Sequence, residues 1–298
     1  MQTVATLIAD PARCPLTQPV VDRVHRAIAE RAAAVDGPHW LSPGEACDII
    51  LADAEPAKIE AAIRAELSDL PIDVALLPTA NRRKRLLIAD MDSTIITSES
   101  LDELAEAAGL KTEVSAITAR AMAGELDFAG AVRERVRMLK GLPLTAVAET
   151  MASLSLTEGA KTLVATMRAN GAYALLVSGG FTLFTDEVRA RVGFDEARAN
   201  TLEVEGTALA GRVREPILGR DAKRSALNER TATLRLSPAD ALAVGDGAND
   251  LAMVQAAGLG VAFRGKPVLR TAADVRIDHT ALTALLFLQG YRRDQFVD

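Results

Sequence analysis

Short runs of apolar residues, spaced for strands and helices, divide the first eighty residues of the chain. In order, they predict a strand, a helix, two strands separated by a turn, a second helix and a last strand, at residues 3–9, 20–34, 38–52, 56–67 and 71–77. The turn is placed at Pro43 and Gly44, a pair that favours a break between strands. The order β-α-β-β-α-β predicts a small ferredoxin-like α+β domain over residues 1–80.

After a linker, the pattern changes to short apolar strands that alternate with helices. Three runs are strand-sized and end in small or polar residues, at 85–90, 172–180 and 241–247. This alternation predicts the α/β class, with a doubly wound parallel sheet in residues 85–298. The carboxyl ends of the strands in such a sheet line the ligand crevice, so we expect these three distant segments to meet there.

The residues between the first two of these strands are mostly helical in pattern. We predict that residues from about 99 to 155 form a helical cap, inserted after the first core strand, that closes over a ligand and excludes water. At its start, "SLDE" fits a capping box in which Ser100 caps the helix and Glu103 bonds back to it.

The composition of the chain argues against several classes of protein: those that bind nucleic acid, that are secreted or that span a membrane. The chain has 298 residues with 34 basic and 40 acidic side chains, and its net charge of −6 argues against nucleic-acid binding. The N-terminus lacks a signal-peptide pattern and no apolar stretch is long enough for a membrane span, so we expect a cytoplasmic protein without a membrane partner. Two cysteines do not make a disulfide framework.

Carboxylates follow two of the predicted core strands. Asp90 and Asp92 come directly after the first strand, and Asp246 comes after the third, within "GDGANDLAM". Three acids in one crevice repel one another and lose hydration, which is tolerable when a hard cation neutralises them. Magnesium fits because it takes carboxylate oxygens and completes its shell with water and phosphate. The strand ends therefore predict a Mg²⁺ site.

Donors for a phosphate group follow the second core strand. Ser178, Gly179 and Gly180 offer a hydroxyl and backbone amides at a helix N-terminus. Lys223 can neutralise a transferring phosphoryl group. Beside Mg²⁺, a carboxylate nucleophile forms an aspartyl-phosphate, and a second carboxylate protonates the leaving alcohol and later deprotonates water.

Each of these motifs has a simpler explanation when it is taken alone. D-x-D-x-T sequences occur by chance, "SGG" is a common strand-to-helix turn, and Asn249 or Asp250 could cap the next helix. Lys223 alone is typical of a solvated surface. All four motifs in this order, at strand ends of one sheet, favour phosphoryl-transfer chemistry.

Longer stretches of the chain resemble a known family. They are "DMDSTIITSESLDELAEAAG", "AMAGELDFAGAVRERV", "LVSGGF" and "VGDGANDLAM". They are similar to the haloacid dehalogenase superfamily of phosphatases and, within it, to the phosphoserine phosphatase family, over nearly all of residues 85–298. The second stretch is the most specific because it lies in the predicted cap, outside the shared catalytic core.

The resemblance implies a role for each matching residue of the core. Asp90 is implied to be the nucleophile and Asp92 the general acid and base. Mg²⁺ is implied to be held by Asp90, the backbone carbonyl of Asp92, and Asp246, with Asp250 orienting the metal's ligands. The implied contacts to substrate and phosphate are Ser178, Gly179, Lys223 and Asn249.

The resemblance also implies how the cap recognises a phosphorylated amino acid. Glu99 is implied to bind the ammonium group, and Arg135 the carboxylate, for which its guanidinium offers a bidentate fork. Met122 and Phe128 are implied to close the pocket. Taken singly, Glu99 could only favour the start of the following helix and Arg135 could be one more surface cation.

The leading hypothesis is a Mg²⁺-dependent enzyme that hydrolyses O-phosphoserine to serine and phosphate, the last step of serine biosynthesis. One alternative is a phosphatase or phosphotransferase for another small phosphomonoester. An alternative of another class is an amino-acid-binding regulatory protein with an inactive phosphatase fold. The first eighty residues resemble an ACT-type regulatory module, and such modules often pair, which suggests a homodimer through this domain.

Overall fold

The N-terminal part of the chain is an antiparallel sheet with two covering helices. The computed structural model describes residues 2–52, 54–122, 125–219 and 221–298, without the side chains of residues 119, 121 and 122. The first elements are β1 (Thr3–Ala9), α1 (Gln18–Ala29), β2 (Ala34–Val35), β3 (His39–Ser42), β4 (Ala46–Ala52), α2 (Pro56–Glu66) and β5 (Ile72–Pro78). The sheet order is β2-β4-β1-β5, with β3 also paired to β4. The predicted order of elements is present, and β2 is an addition.

The helices α1 and α2 cover one face of this sheet. Apolar residues recur at every third or fourth position of each helix, and these are the buried ones. They form one cluster with every second residue of β1, including Ala5 and Leu7. The amphipathic pattern of the helices therefore explains how this face of the sheet is buried.

The second part of the chain contains the parallel sheet. Its strands and an accompanying hairpin are β6 (Leu86–Ala89), β7 (Tyr173–Phe181), β8 (Glu196–Asn200), β9 (Leu202–Glu205), β10 (Ala208–Val213), β11 (Ala241–Gly245), β12 (Leu259–Phe263) and β13 (Val275–Ile277). The parallel order is β13-β12-β11-β6-β7-β8, and β9 pairs with β10 separately. Every residue of β6 is buried, as expected for a strand covered on both faces. The predicted α/β class is confirmed.

Helices connect the parallel strands. Those between β6 and β7 are α3 (Ser100–Ala107), α4 (Lys111–Met122), α5 (Phe128–Met138), α6 (Leu144–Ser153) and α7 (Ala160–Ala169). Those further along are α8 (Thr182–Val192), α9 (Ala222–Thr233), α10 (Leu251–Ala256), α11 (Pro267–Ala272) and α12 (Ala284–Leu288). The helices α3 to α6 occupy the predicted cap region. In the described part of the chain, every helix is too short or too polar to cross a bilayer.

The predicted capping box at the start of α3 is wrong. The N-cap residue is Glu99, and its side chain does not cap the helix. The backbone N–H of Ser100 donates instead to Asp92 Oδ1 at 2.7 Å. Because this bond joins the helix to the carboxylate of Asp92, eight residues earlier in the chain, the local pattern could not predict it.

Buried polar contacts join the N-terminal part to the parallel-sheet part. The carboxylate of Asp73 in β5 accepts hydrogen bonds from the backbone N–H groups of residues 278–280. Arg82 donates to Asp48 Oδ2 at 2.5 Å and to Oδ1 at 2.8 Å, and it also donates to two backbone carbonyls of α12. Ile8 of β1 belongs to the same apolar cluster as α12. The two parts are therefore packed directly on each other.

Candidate active site

The strand ends that were predicted to meet lie side by side. The strands β11, β6 and β7 are neighbours in the parallel sheet, so the residues that follow them share one edge. The backbone N–H of Asp90, just after β6, donates to the carbonyl oxygen of Val244 in β11 at 3.0 Å. The loops that carry Asp90 and Asp246 are thereby held next to each other.

Three buried carboxylates form the centre of the site. Asp90, Asp246 and Asp250 each offer one oxygen, and these oxygens lie within 4.8 Å of one another. Burial raises the pKa of Asp90, the charge of Asp250 raises it further, and Lys223 opposes the rise. Burial also raises the pKa of Asp246. Oxygen ligands from several carboxylates suit a hard divalent cation, so this donor set fits Mg²⁺.

Lys223 of α9 lies between two of these acids. Its Nζ is 2.7 Å from Asp90 Oδ1 and 2.5 Å from Asp250 Oδ1. Burial alone would lower the pKa of Lys223, but the two carboxylates raise it above its ordinary value, so the ammonium stays charged. Asp250 Oδ2 accepts the backbone N–H groups of Asp246 at 3.1 Å and Gly247 at 2.9 Å. Asp250 thus fixes both Lys223 and the loop after β11.

Asp92 is held by a hydrogen bond to each of its carboxylate oxygens. Ser100 N–H donates to Oδ1 at 2.7 Å, and Ser178 Oγ–H donates to Oδ2 at 2.9 Å. The residue after Asp92, Ser93, has φ of +53°, a left-handed conformation that turns the chain sharply behind the carboxylate. The loop therefore presents Asp92 to the end of β7.

Gly180 permits this close approach because it has no side chain. A Cβ atom at position 180 would lie 3.0 Å from Ser178 Oγ and 3.2 Å from Asp92 Oδ2. Its backbone N–H donates to Ser178 Oγ at 2.8 Å, which orients the hydroxyl toward Asp92. The second glycine of "SGG" thus has a steric reason in this structure.

A small cavity opens beside these groups and reaches the cap. It measures about 110 Å³, and its lining includes Phe128, Ser178, Gly179, Lys223 and Asn249. Asn249 Nδ2 also donates to Asp90 Oδ2 at 3.3 Å. Met122, the other residue predicted to close the pocket, ends α4, and its side chain lies outside the described residues. A larger cavity of about 660 Å³, between the N-terminal part and the core, contains none of the predicted site residues.

The segment of the chain that contains most of these site residues matches a family model. The model of the haloacid dehalogenase-like hydrolases aligns with residues 87–255, from β6 to α10. The chain belongs to the haloacid dehalogenase-like hydrolases. A phosphoserine phosphatase of Archaeoglobus fulgidus is 42% identical over 237 residues, which cover 79% of this chain and 69% of that protein.

Solved structures of the family share the architecture. A haloacid dehalogenase family hydrolase from Salmonella enterica superposes with a TM-score of 0.84 at 29% identity, covering 96% of this chain and 98% of that one. A structure described as a phospho-aspartyl intermediate analogue of phosphoserine phosphatase has a TM-score of 0.64 at 37% identity, covering 69% of this chain and 98% of that one. Together with the sequence relatives, these matches show that this haloacid dehalogenase-like hydrolase is a phosphatase.

In this hydrolase, the two residues predicted to bind an amino acid make separate hydrogen bonds. Glu99 Oε1 accepts a hydrogen bond from Ser93 Oγ at 2.7 Å, so Glu99 leans toward the Asp92 loop. Arg135 Nε donates to a backbone carbonyl of its own helix at 3.3 Å. Burial lowers the pKa of Arg135, and the charges of Asp102 and Glu99 partly oppose this. Arg135 therefore lies within the electrostatic influence of Asp102 and Glu99, and among the described residues it forms no salt bridge with either.

Lys266 is a residue of the site that the sequence interpretation missed. Its Nζ lies 3.2 Å from Asp246 Oδ2, and its backbone N–H donates to the backbone carbonyl of Asp246 at 2.7 Å. It follows β12, the neighbour of β11, and comes directly before α11. The strand-end argument that identified Asp246 would also have identified Lys266 if residues 259–263 had been interpreted as a further core strand.

Proposed function

We propose that this phosphatase hydrolyses O-phosphoserine to serine and inorganic phosphate, with Mg²⁺ as cofactor and Asp90 as nucleophile. The observation that carries the proposal is the position of Lys223, whose Nζ lies 2.7 Å from Asp90 Oδ1 and which lines one cavity with Ser178 and Gly179. A phosphoryl group in that cavity would meet a nucleophile, a cation and hydrogen-bond donors together. Relatives named phosphoserine phosphatase support the choice of substrate.

The proposed reaction has two displacements at phosphorus. A carboxylate oxygen of Asp90 bonds to phosphorus while the bond to the serine oxygen breaks, and Asp92 gives its proton to the leaving serine oxygen. Asp92 then takes a proton from water, the water oxygen bonds to phosphorus, and the bond to Asp90 breaks. Phosphate is released and Asp92 is protonated again.

The surroundings of both acids suit these roles. Asp92 is oriented by Ser100 and Ser178, so its proton is delivered from a fixed position. Asp90, the backbone carbonyl of Asp92, and Asp246 would hold Mg²⁺, which when bound supplies positive charge to the phosphoryl oxygens. Asp250 keeps Lys223 in place through the contact of 2.5 Å between its Oδ1 and Nζ.

The cap supplies the proposed contacts to the amino-acid part of the substrate. Glu99 binds the ammonium group, and Arg135 binds the carboxylate as a bidentate donor. Phe128 covers the pocket from the cap side, and Asn249 contacts the phosphoryl end; a closing role for Met122 stays a prediction from the family resemblance. Supporting this, Phe128 and Asn249 line the same cavity as Lys223.

We further propose the organisation of the whole chain. Residues 1–80 form an ACT-like domain, for which we propose a regulatory role, and residues 85–298 form the phosphatase domain with its cap at about 99–155. The domain at 1–80 supports a homodimer only by analogy with other modules of its kind. A cytoplasmic location and a place as the last step of serine biosynthesis stay predictions from the sequence.

Phosphate release from O-phosphoserine, with Mg²⁺ titrated into metal-free protein, tests the proposed function. We expect turnover that requires Mg²⁺ and that exceeds turnover of a generic aryl phosphate. Equal rates on both substrates would contradict the amino-acid assignment and favour a broader phosphatase. If phosphate transfer to added alcohols outpaced hydrolysis, the chain would be a phosphotransferase.

A further inference from the structure

Two lysines contact the acidic cluster, and they differ sharply in exposure. The side chain of Lys223 is 5% exposed and lies against Asp90 and Asp250. The side chain of Lys266 is 64% exposed, whereas that of its partner Asp246 is 9% exposed. Within the described ranges, Lys266 supplies the one salt bridge of the Asp246 carboxylate. The carboxylates are thus divided between a buried cation and a solvent-facing cation.

We propose that Lys266 competes with the divalent metal ion for Asp246 and thereby weakens Mg²⁺ binding. This inference rests on the proposed function, in which Asp246 is a metal ligand. An ammonium group and a metal ion on one carboxylate repel each other, and each reduces the negative charge available to the other. Binding of the metal therefore requires Lys266 to move away or to tolerate that repulsion.

The exposure of the two lysine side chains indicates which of them can move away from its carboxylate partner. Lys223 has two carboxylate partners within 2.7 Å in a buried place, so moving its ammonium would leave charges unpaired. Lys266 has a partner at 3.2 Å and a side chain open to water, and exposed ion pairs of this kind add little stability. The ammonium group of Lys266 is therefore the one that can move away when a metal ion binds to Asp246.

The backbone keeps Lys266 beside the site whatever its side chain does. Its N–H donates to the Asp246 carbonyl at 2.7 Å, and Pro267 begins α11 at the next position. A side-chain substitution at position 266 leaves this N–H in place. The contribution of the ammonium can therefore be measured without moving the loop that carries Asp246.

Isothermal titration calorimetry of Mg²⁺ into the full chain tests the proposal without using activity. We expect Lys266→Met to bind Mg²⁺ about two- to tenfold more tightly than the unchanged protein at low salt, the size expected for one screened charge. The difference should shrink at high salt, where exposed charges are screened. Lys266→Arg, which keeps the charge, should stay near the unchanged protein.

Lys58→Met is the matched control. Lys58 is 71% exposed and pairs with Glu55 at 2.6 Å in the N-terminal part, so its removal should leave Mg²⁺ affinity unchanged. Equal or weaker Mg²⁺ binding by folded Lys266→Met would overturn the proposal, and weaker binding would show that Lys266 positions Asp246. If Lys266→Met fails to fold by circular dichroism, Lys266→Gln replaces it. A folded, unchanged protein that binds no Mg²⁺ would instead contradict the metal requirement of the proposed function.

Discussion

The contact between Arg82 and Asp48 allows a quantitative test of how firmly the N-terminal part is joined to the phosphatase core. The two side chains are 16% and 7% exposed, and Arg82 also donates to backbone carbonyls of α12. Arg82→Met leaves Asp48 with the hydroxyl of Thr6, which donates to it at 2.7 Å, as its remaining side-chain partner in the described chain. Breaking a buried ion pair in this way costs about 3–5 kcal/mol.

Denaturant unfolding, followed by two probes, measures this cost. The chain has one tryptophan, Trp40, and it lies in β3 of the N-terminal part, so its fluorescence reports that part. Circular dichroism at 222 nm reports all helices. We expect coincident transitions in the unchanged protein, and in Arg82→Met an earlier Trp40 transition, because its docking contact is lost.

A double-mutant cycle separates the pair from the packing around it. We expect Arg82→Met with Asp48→Leu to cost less than the sum of the single changes, since no buried charge is then left unpaired. Arg83→Met is the matched control: Arg83 is exposed, its guanidinium lies 4.1 Å from the Tyr291 ring centre, and its loss should cost about 1 kcal/mol at most. If Arg82→Met and Arg83→Met unfold at the same denaturant concentration, or if the single costs simply add, the reasoning is wrong.

Three predictions concern the site itself. Asp90→Asn should lower phosphate release from O-phosphoserine by more than about a thousandfold with an unchanged circular dichroism spectrum, because the nucleophile is lost; substantial residual turnover would rule out Asp90 as nucleophile. Arg135→Ala should reduce kcat/KM for O-phosphoserine about ten- to a hundredfold more than for a phosphomonoester without a carboxylate, since only the former loses a charged hydrogen bond. Equal losses on both substrates would indicate a structural role. Gly180→Ala would place a Cβ 3.2 Å from Asp92 Oδ2, and we expect the displaced carboxylate to lower kcat by about ten- to a hundredfold with a smaller change in KM. An unchanged kcat would show that the loop adjusts without moving Asp92.

The sequence could predict that the residues of the candidate site lie at one edge of the sheet, because strand ends are set by local patterns. The apolar runs that end at Asp90, Ser178 and Asp246 are short and strongly apolar, and parallel strands bring their carboxyl ends to one edge. The order of small elements in the first eighty residues was likewise set by turns and by the spacing of apolar residues. These features need no knowledge of which side chains touch.

The sequence patterns could not predict contacts between residues that are far apart along the chain or joined across a loop. The capping box failed because the Ser100 N–H bonds to Asp92 across the loop. The pairing of Lys223 with both Asp90 and Asp250 depends on how α9 lies against the sheet, which no spacing rule gives. Lys266 was missed for a simpler reason, since the strand before it was not recognised.

The sequence of β1 indicates that the second face of the N-terminal sheet is also buried, and the sequence interpretation did not use this pattern. A strand with one solvated face alternates apolar and polar residues, yet "VATLIA" at 4–9 is buried at every position. The face of β1 that packs against α1 and α2 includes Ala5 and Leu7. Ile8 lies on the opposite face and packs into the apolar cluster of the phosphatase core. Polar groups on that second face, Asp48 and Asp73, are buried and hydrogen-bonded to residues outside the sheet, as buried carboxylates must be. This strand, which is apolar at every position from 4 to 9 except Thr6, therefore indicates a sheet covered on both sides, and any pairing of two chains through this domain has to use its edges or its helices.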